Sequence, residues 1–223
     1  MIRAVFFDLD NTLYDQRSFF RQVFAKVVCY ITQQFDIDEV KVEQKIWEIF
    51  DARGSLYTGL FNDLLQYFDL PSTELKSILR EYHSTPLVDL EVYADAKRFL
   101  ASVKGQYKIG IITNGTPQTQ RKKIVCLGLE DVFDIYVCTA EFDAPKPSST
   151  CFVHAAKALN VETTDSIYVG DNPFVDFQGA KKAGMYTVRL LRGEFQNISP
   201  QHCENVDKTI CSYEELRPIV ENW

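Results

Sequence analysis

Five short apolar runs, separated by helical patterns, constrain the fold of this chain more than any other feature. The runs are rich in Val, Ile, Phe and Tyr, do not alternate with polar residues, and span residues 2–8, 107–112, 134–138, 166–169 and 186–190. Continuous apolar runs of this length are typical of strands that are covered on both faces. Strands that alternate with helices imply a mostly parallel sheet with right-handed crossovers. The sequence therefore predicts an α/β fold in which helices flank a parallel sheet.

Proline and glycine residues mark the ends of two of the predicted helices. Pro117 can begin a helix that Gly128 ends, and Pro173 can begin one that Gly184 ends. Proline is favoured in the first turn of a helix and glycine just after the last turn, so both pairs have the expected order. These helices would follow the second and fourth apolar runs.

The alternation is interrupted by about 70 residues after the first apolar run. Four amphipathic helical patterns occupy this stretch, with apolar residues three or four positions apart: Phe20, Phe24, Val27 and Ile31; Val42, Ile46, Ile49 and Phe50; Phe61, Leu64, Leu65 and Phe68; Leu75, Ile78, Leu79 and Tyr82. Four such helices are enough for a small bundle. We therefore predict an α/β core of residues 1–14 and 88–223 and an inserted α-helical bundle, a cap, of residues 15–87.

Charge and apolar run length exclude several classes of protein. Lys and Arg total 24 against 31 Asp and Glu, giving a net charge of −7, which argues against binding of nucleic acid. No apolar run approaches the roughly 18 residues of a membrane span. The six cysteines lack paired C-x-x-C spacing, so reduced thiols are expected. The chain is expected to be cytoplasmic, away from membranes, and a monomer or weak homodimer.

Polar side chains gather where the first two apolar runs end. In a Rossmann-like parallel sheet, ligands bind beyond the carboxyl ends of the strands. Asp8 and Asp10 follow the first run, and side chains two residues apart on an extended segment point the same way. Thr113, Asn114 and Gly115 follow the second run, with a hydroxyl and consecutive main-chain N–H groups that suit phosphate oxygens. Each motif alone is also ordinary turn chemistry.

Two further groups of polar residues follow later in the chain. Lys146 lies between Pro145 and Pro147, which restrict the backbone and hold the lysine on a stiff loop. Asp171 and Asp176 follow the fourth apolar run. The dipole of the next helix explains part of the preference for Asp176, whereas Asp171 has no such local role. A carboxylate at this place suits Mg²⁺, which binds carboxylates together with substrate phosphate oxygens.

In combination, these motifs resemble those of the haloacid dehalogenase superfamily of phosphohydrolases. All four motifs of the superfamily are present within about residues 1–14 and 88–190: Asp8-Leu9-Asp10-Asn11-Thr12, Thr113, Lys146, and Gly170-Asp171 with Asp176. The resemblance implies a magnesium-dependent phosphomonoester hydrolase with a helical cap. It implies that Asp8 attacks phosphorus to form an aspartyl-phosphate, and that Asp10 protonates the leaving alcohol and later deprotonates water.

The resemblance also implies roles for the other charged residues. Mg²⁺ would be held by the Asp8 side chain, the Asp10 main-chain carbonyl, Asp171 and waters. Lys146 would offset negative charge beside the nucleophile. Asp176 would hold Lys146 or a metal-bound water in place.

The substrate implied by the resemblance is a small phosphate ester such as a nucleotide, a sugar phosphate or phosphoglycolate. Thr113, the Asn114 amide and Gly115 would bind its phosphate. Arg53 lies in Arg53-Gly54-Ser55-Leu56-Tyr57, which combines a charge, a glycine and an aromatic ring, and is predicted to contact the rest of the substrate.

Three alternative functions differ in how well they fit these motifs. A phosphosugar mutase would share the whole core and differ mainly in its cap. A haloacid dehalogenase would lack the second carboxylate, so Asp10 counts against it. A non-catalytic phosphometabolite-binding protein would gain nothing from the extra negative charge of Asp10.

Overall fold

The central sheet has strands at all five predicted apolar runs. The computed structural model describes residues 1–199, 201 and 203–223. Its strands are β1 (Ala4–Phe7), β2 (Lys108–Thr113), β3 (Ile135–Cys138), β4 (Ser166–Gly170), β5 (Tyr186–Leu190) and β6 (Lys208–Ile210). They lie in the order β3-β2-β1-β4-β5-β6, and each neighbouring pair is parallel. The predicted α/β fold with a Rossmann-like parallel sheet is confirmed.

The strand order positions the polar motifs side by side. Strand β1 lies between β2 and β4, with Phe7 in register with Ile111 on one side and Val169 on the other. Every residue of β1 is buried, as expected for a strand covered on both faces. The residues that follow β1, β2 and β4 therefore emerge at one edge of the sheet, where the order of the strands reverses and ligands usually bind.

The helices of the described residues flank the sheet or form the insertion. They are α1 (Gln16–Phe35), α2 (Glu39–Arg53), α3 (Leu60–Tyr67), α4 (Leu75–Ser84), α5 (Ala94–Val103), α6 (Pro117–Cys126), α7 (Thr150–Ala158), α8 (Phe177–Ala183) and α9 (Tyr213–Asn222). The chain divides into a unit of residues 1–16 and 89–223 and a helical unit of residues 17–88. Among the described residues, no helix combines the length and apolar character needed to cross a membrane.

Aromatic rings pack inside the helical unit. The ring of Phe24 lies 5.1 Å from that of Trp47, 5.6 Å from Phe50 and 6.3 Å from Phe61, measured between centroids. Aromatic pairs at these distances stabilise a core beyond the burial of their area alone. The apolar faces of α1, α2 and α3 thus pack against one another, as their amphipathic patterns predict.

One of the two helix starts predicted at proline is wrong. Pro117 is the first residue of α6, and Gly128 follows the end of that helix with a φ of 65°. In contrast, α8 begins at Phe177 and not at Pro173. Asn172 holds the intervening residues in a turn, because its side chain accepts a hydrogen bond from the Phe174 N–H (3.0 Å) and its carbonyl accepts one from the Asp176 N–H (3.1 Å).

The N-terminus of α9 is attached to the core by a carboxylate. Asp95, at the start of α5, accepts hydrogen bonds from both terminal nitrogens of Arg192 and one from the main-chain N–H of Tyr213 (3.0 Å). The Tyr213 hydroxyl donates to the carbonyl of Thr12 (3.1 Å). Burial would raise the pKa of Asp95, but the hydrogen bonds from Arg192 and Tyr213 outweigh it and lower the pKa.

Asp95→Asn is expected to lower the free energy of unfolding by about 1–3 kcal/mol at pH 7, because a partly buried charged pair is broken. A carboxyl group whose pKa is lowered in the folded state stabilises the fold above its ordinary pKa, here 3.8, and loses that contribution as the pH falls through the lowered value. The difference from the wild type should therefore shrink below about pH 4. Urea unfolding at several pH values measures the difference in the free energy of unfolding between the variant and the wild type. Glu214→Gln, at an exposed ion pair, is the control. A difference that is constant with pH would contradict this account.

Candidate active site

A buried lysine joins two carboxylates at the carboxyl ends of β1 and β4. The Nζ of Lys146 lies 2.6 Å from Asp8 Oδ1 and 2.7 Å from Asp176 Oδ1, and it donates to the Tyr168 hydroxyl at 2.9 Å. Only 2% of the Lys146 side chain is exposed. Burial would lower the pKa of Lys146, but Asp176 and Asp8 outweigh it and raise the pKa above its usual value. The lysine is therefore a fixed positive charge beside Asp8.

The side chain of Asn114 holds the loop that carries Lys146. Its Oδ1 accepts hydrogen bonds from the main-chain N–H of Lys146 (2.9 Å) and the Thr139 hydroxyl (2.7 Å). Its Nδ2 donates to the Lys146 carbonyl (3.3 Å). Two residues predicted for different roles, one on the phosphate and one beside the nucleophile, are thus bonded to each other. The Asn114 side chain positions the lysine, and only its main-chain N–H remains a candidate for phosphate.

The position of the Asp176 carboxylate depends on the absence of a side chain at Gly170. The Oδ2 of Asp176 accepts a hydrogen bond from the Asn172 N–H (2.9 Å), and its Oδ1 accepts one from the Tyr168 hydroxyl (3.1 Å). A Cβ placed on Gly170 would lie 2.4 Å from Asp176 Oδ2. The glycine thus allows the carboxylate to lie against the end of β4.

Gly170→Ala is expected to lower kcat/KM by about 10- to 100-fold, because the Asp176 carboxylate must move away from Lys146 and misplacement by about 1 Å has effects of this size. Steady-state kinetics measure the loss. Gly105→Ala is the matched control: it adds strain at a φ of 80° but has no other atom within 4 Å. It should lower the unfolding midpoint while leaving kcat/KM unchanged. Equal kinetic effects in the two variants would contradict the role given to Gly170.

Asp171 has a buried oxygen that no donor satisfies. Its Oδ1 accepts a hydrogen bond from the Thr12 hydroxyl at 3.4 Å, whereas its Oδ2 is buried without a hydrogen-bond partner. Buried polar atoms without a partner are rare in folded proteins. Burial raises the pKa of Asp171 well above its usual value, and the charges of Asp176 and Asp8 raise it further. This donor set fits a cation next to Asp171, which would neutralise the carboxylate.

A cation here would need further ligands in addition to the carboxylate side chains. Among the described residues, no group of three or more His, Cys, Asp or Glu side chains is arranged to hold a metal ion. Mg²⁺ commonly keeps several waters and takes only one or two carboxylates from the protein. Two carboxylates, Asp8 and Asp171, together with waters would match this preference.

Asp8 is a buried carboxyl group whose charge is poorly stabilised. Burial raises its pKa to about 7, although Lys146 lowers it, and Asp176 and Asp10 add to the rise. A bound cation would favour the ionised, nucleophilic form of the carboxylate.

Asp10 lies in a second group of donors that the sequence patterns do not predict. Its Oδ1 accepts hydrogen bonds from the Tyr14 hydroxyl (2.5 Å) and Lys123 Nζ (2.7 Å), and its Oδ2 accepts from Gln120 Nε2 (3.0 Å) and Lys123 Nζ (3.0 Å). Burial would raise the pKa of Asp10, but Lys123 and the other donors outweigh it and lower the pKa. The sequence contained one signal for these donors. Spacings of three and four residues place Gln120, Lys123 and Ile124 on the same face of a helix.

The predicted phosphate-binding residues lie at the end of β2 and in the loop before α6. Thr113 is buried, and its Oγ1 accepts a hydrogen bond from Gln120 Nε2 (2.6 Å). Gly115 has a φ of 113°, a conformation that suits glycine. Arg53 belongs to the helical unit, at the end of α2, where its guanidinium lies 5.3 Å from the centroid of the Tyr57 ring.

Comparison with known proteins agrees with this arrangement. A family model described as haloacid dehalogenase-like hydrolase matches residues 5–190. The chain is 30% identical to the glyceraldehyde 3-phosphate phosphatase of Methanopyrus kandleri, covering 99% of this chain and 97% of that one. It is 29% identical to the N-acylneuraminate-9-phosphatase of Homo sapiens, covering 82% and 80%. The crystal structure of a haloacid dehalogenase phosphatase from Thermococcus onnurineus matches with a TM-score of 0.69 and 27% identity over 98% of both chains.

The chain therefore belongs to the haloacid dehalogenase-like hydrolase family, as its motifs predict. Its similarity to phosphatases extends over nearly the whole chain. Within the family it is a hydrolase of phosphoric monoesters.

Proposed function

We propose that the protein is a magnesium-dependent phosphatase that cleaves a small phosphorylated metabolite through an aspartyl-phosphate on Asp8. The observation that carries the proposal is the buried Lys146 ammonium, which lies 2.6 Å from Asp8 Oδ1. The buried Asp171 oxygen without a hydrogen-bond partner adds to it. A buried positive charge beside a buried carboxyl group is what a phosphate dianion requires if it is to approach that carboxyl.

Asp8 would supply the attacking oxygen in the first step. An oxygen of its carboxylate forms a bond to phosphorus while the bond between phosphorus and the ester oxygen breaks. Asp10 gives a proton to that oxygen as it leaves, and in the second step accepts a proton from the water that hydrolyses the aspartyl-phosphate. Burial raises the pKa of Asp8 and the donors around Asp10 lower its pKa, so both roles require bound ligands. A cation would favour the ionised form of Asp8, and the negative charge of the phosphate would favour the protonated form of Asp10.

The other residues would bind and orient the phosphate and the cation. Asp8, the Asp10 carbonyl and Asp171 would hold Mg²⁺, which supplies positive charge to offset the phosphate and the carboxylates. Thr113, Gly115 and the Asn114 N–H would bind a phosphate oxygen. These roles are supported by the positions of the residues at one edge of the sheet.

The substrate class follows from the relatives and the motifs together. The named relatives are a glyceraldehyde 3-phosphate phosphatase and an N-acylneuraminate-9-phosphatase. We include nucleotides, other sugar phosphates and phosphoglycolate among the candidates. Arg53, in the helical unit that we propose as the cap, would contact the part of the substrate beyond the phosphate. The cytoplasmic location and the monomer or weak homodimer stay predictions.

A turnover screen tests the proposal. The purified protein would be assayed by phosphate release with p-nitrophenyl phosphate, nucleotides, sugar phosphates, glyceraldehyde 3-phosphate and phosphorylated acids, with Mg²⁺ and after removal of divalent ions with a chelator. We expect hydrolysis of at least one ester that is lost with the chelator and restored by Mg²⁺. Hydrolysis that persists in the chelator would overturn the role of the cation, and no hydrolysis in any assay would overturn the proposed function.

A further inference from the structure

Lys123 and Gln120 surround the carboxyl group of Asp10, and no motif of the sequence assigned them a role. We propose that Lys123 is a positioning residue which, together with Gln120, holds Asp10 in the orientation from which its proton reaches the leaving oxygen. This inference rests on the proposed function, since it concerns the acid of that reaction.

The geometry places both residues on the buried face of α6. Lys123 is 3% exposed and Gln120 is 1% exposed, and they lie three residues apart, so their side chains leave the helix in the same direction. Lys123 contacts both oxygens of Asp10, at 2.7 and 3.0 Å, and Gln120 contacts one of them. Lysines on helices are almost always solvated unless they are paired. Two donors from one rigid helix therefore fix the plane of the carboxyl group.

Gln120 also connects Asp10 to the predicted phosphate-binding site. Its Nε2 donates to Thr113 Oγ1 at 2.6 Å as well as to Asp10 Oδ2 at 3.0 Å. The same Gln120 amide therefore holds Asp10, which would protonate the leaving oxygen, and Thr113, which would bind a phosphate oxygen. This contact sets the position of the acid relative to the phosphate.

Lys123 would matter most at the moment of proton transfer. As the bond between phosphorus and the ester oxygen breaks, its electron pair goes to the ester oxygen, which takes the proton from Asp10. The carboxyl group must then point at the ester oxygen within hydrogen-bonding distance, and Lys123 and Gln120 hold it in one orientation for that transfer. The benefit is large for an alkoxide, which leaves poorly without a proton, and small for p-nitrophenolate.

A purely structural ion pair makes a different prediction. If Lys123 only attached α6 to the loop after β1, its loss would lower stability and reduce turnover of all esters by the same factor. If it positions the acid, the loss depends on the leaving group. The ratio of the loss for an ester with a poor leaving group to the loss for an ester with a good one therefore separates a positioning role from a purely structural one.

The experiment compares kcat/KM of Lys123→Met for p-nitrophenyl phosphate and for the alkyl phosphate that the wild type hydrolyses fastest. We expect a loss of about 100-fold or more for the alkyl ester and less than about 10-fold for the aryl ester, since general acid catalysis typically contributes 10²- to 10⁴-fold. Lys123→Arg should restore part of the alkyl activity, and Gln120→Leu should show the same selectivity with a smaller loss. Arg121→Met, which removes an exposed positive charge from the same helix, should change neither rate.

The outcomes separate this inference from the function on which it rests. Equal losses for the two esters in Lys123→Met would overturn the positioning role. If that variant does not fold, Gln120→Leu and Lys123→Arg decide the question, and equal losses for the two esters in both would overturn the inference. Asp10→Asn tests the function itself: the absence of a selective loss for the alkyl ester would show that Asp10 is not the acid, whatever Lys123 does.

Discussion

Asp8→Asn is expected to reduce phosphomonoester hydrolysis by at least about a thousand-fold while the fold is kept, because the neutral amide oxygen is a far weaker nucleophile than a carboxylate oxygen and no aspartyl-phosphate forms. Asparagine is nearly isosteric with aspartate. The substitution also removes a carboxyl group whose pKa burial raises to about 7. Because the charge of that group is poorly stabilised in the folded state, the stability of the variant should be close to that of the wild type.

The measurements for Asp8→Asn are kcat/KM with the best ester of the screen and the thermal unfolding midpoint. Asp131→Asn, at an exposed carboxylate, is the matched control and should behave as the wild type in both. Mass spectrometry after a brief incubation with substrate should detect a phosphoryl adduct on the wild type only. Retained hydrolysis in Asp8→Asn would refute the nucleophile, since no other change in the site compensates for its loss.

Lys146→Met is expected to lower the free energy of unfolding by about 3–5 kcal/mol at neutral pH as well as to abolish turnover, because Asp8 and Asp176 are left as buried carboxylates without the lysine. The Tyr168 hydroxyl also loses its donor. Few single substitutions are this destabilising, and those that are have an identifiable cause such as an unpaired buried charge.

Urea unfolding measures the effect of Lys146→Met, with Lys181→Met as the control. Lys181 pairs with Asp207 at 2.8 Å, but about a third of each side chain is exposed, so its loss should change stability by less than about 1 kcal/mol. Adding Asp176→Asn to Lys146→Met should recover part of the lost stability, since residues in one network are not additive. Equal destabilisation by the two lysine variants would contradict the description of Lys146 as the centre of a buried network.

The strands were predictable because their sequence signal is local and strong. Strand β1 is wholly apolar, and β2, β4 and β5 are mostly apolar, as is typical of central parallel strands. Strand β6 has three residues, of which only Ile210 is buried, so its sequence carries almost no signal. The start of α8 was not predictable from Pro173, because the side chain of Asn172 competes with the helix for the main-chain N–H groups.

The candidate site was predictable where its residues follow strands, and not where they lie within helices. The edge of a parallel sheet collects the residues after each strand, so Asp8, Thr113 and Asp171 could be grouped without coordinates. Lys123 resembles any solvated helical lysine until the burial of its helix face is known. Tyr168 lies inside an apolar strand, where its hydroxyl has no visible partner in the sequence. The contact of Asn114 with the Lys146 loop joins residues 32 positions apart, and no local rule predicts it.

The chain leaves and re-enters its core through neighbouring segments. Tyr14 pairs with Val92 in an antiparallel bridge, and the Tyr93 N–H donates to the Leu13 carbonyl at 2.9 Å. The polypeptide between these two hydrogen-bonded segments is a closed loop, and the entropic cost of closing a loop rises only slowly with its length. A longer or shorter insertion at this junction leaves the path of every strand in the sheet unchanged. The position of this junction thus makes the length of the inserted piece independent of the order of the strands.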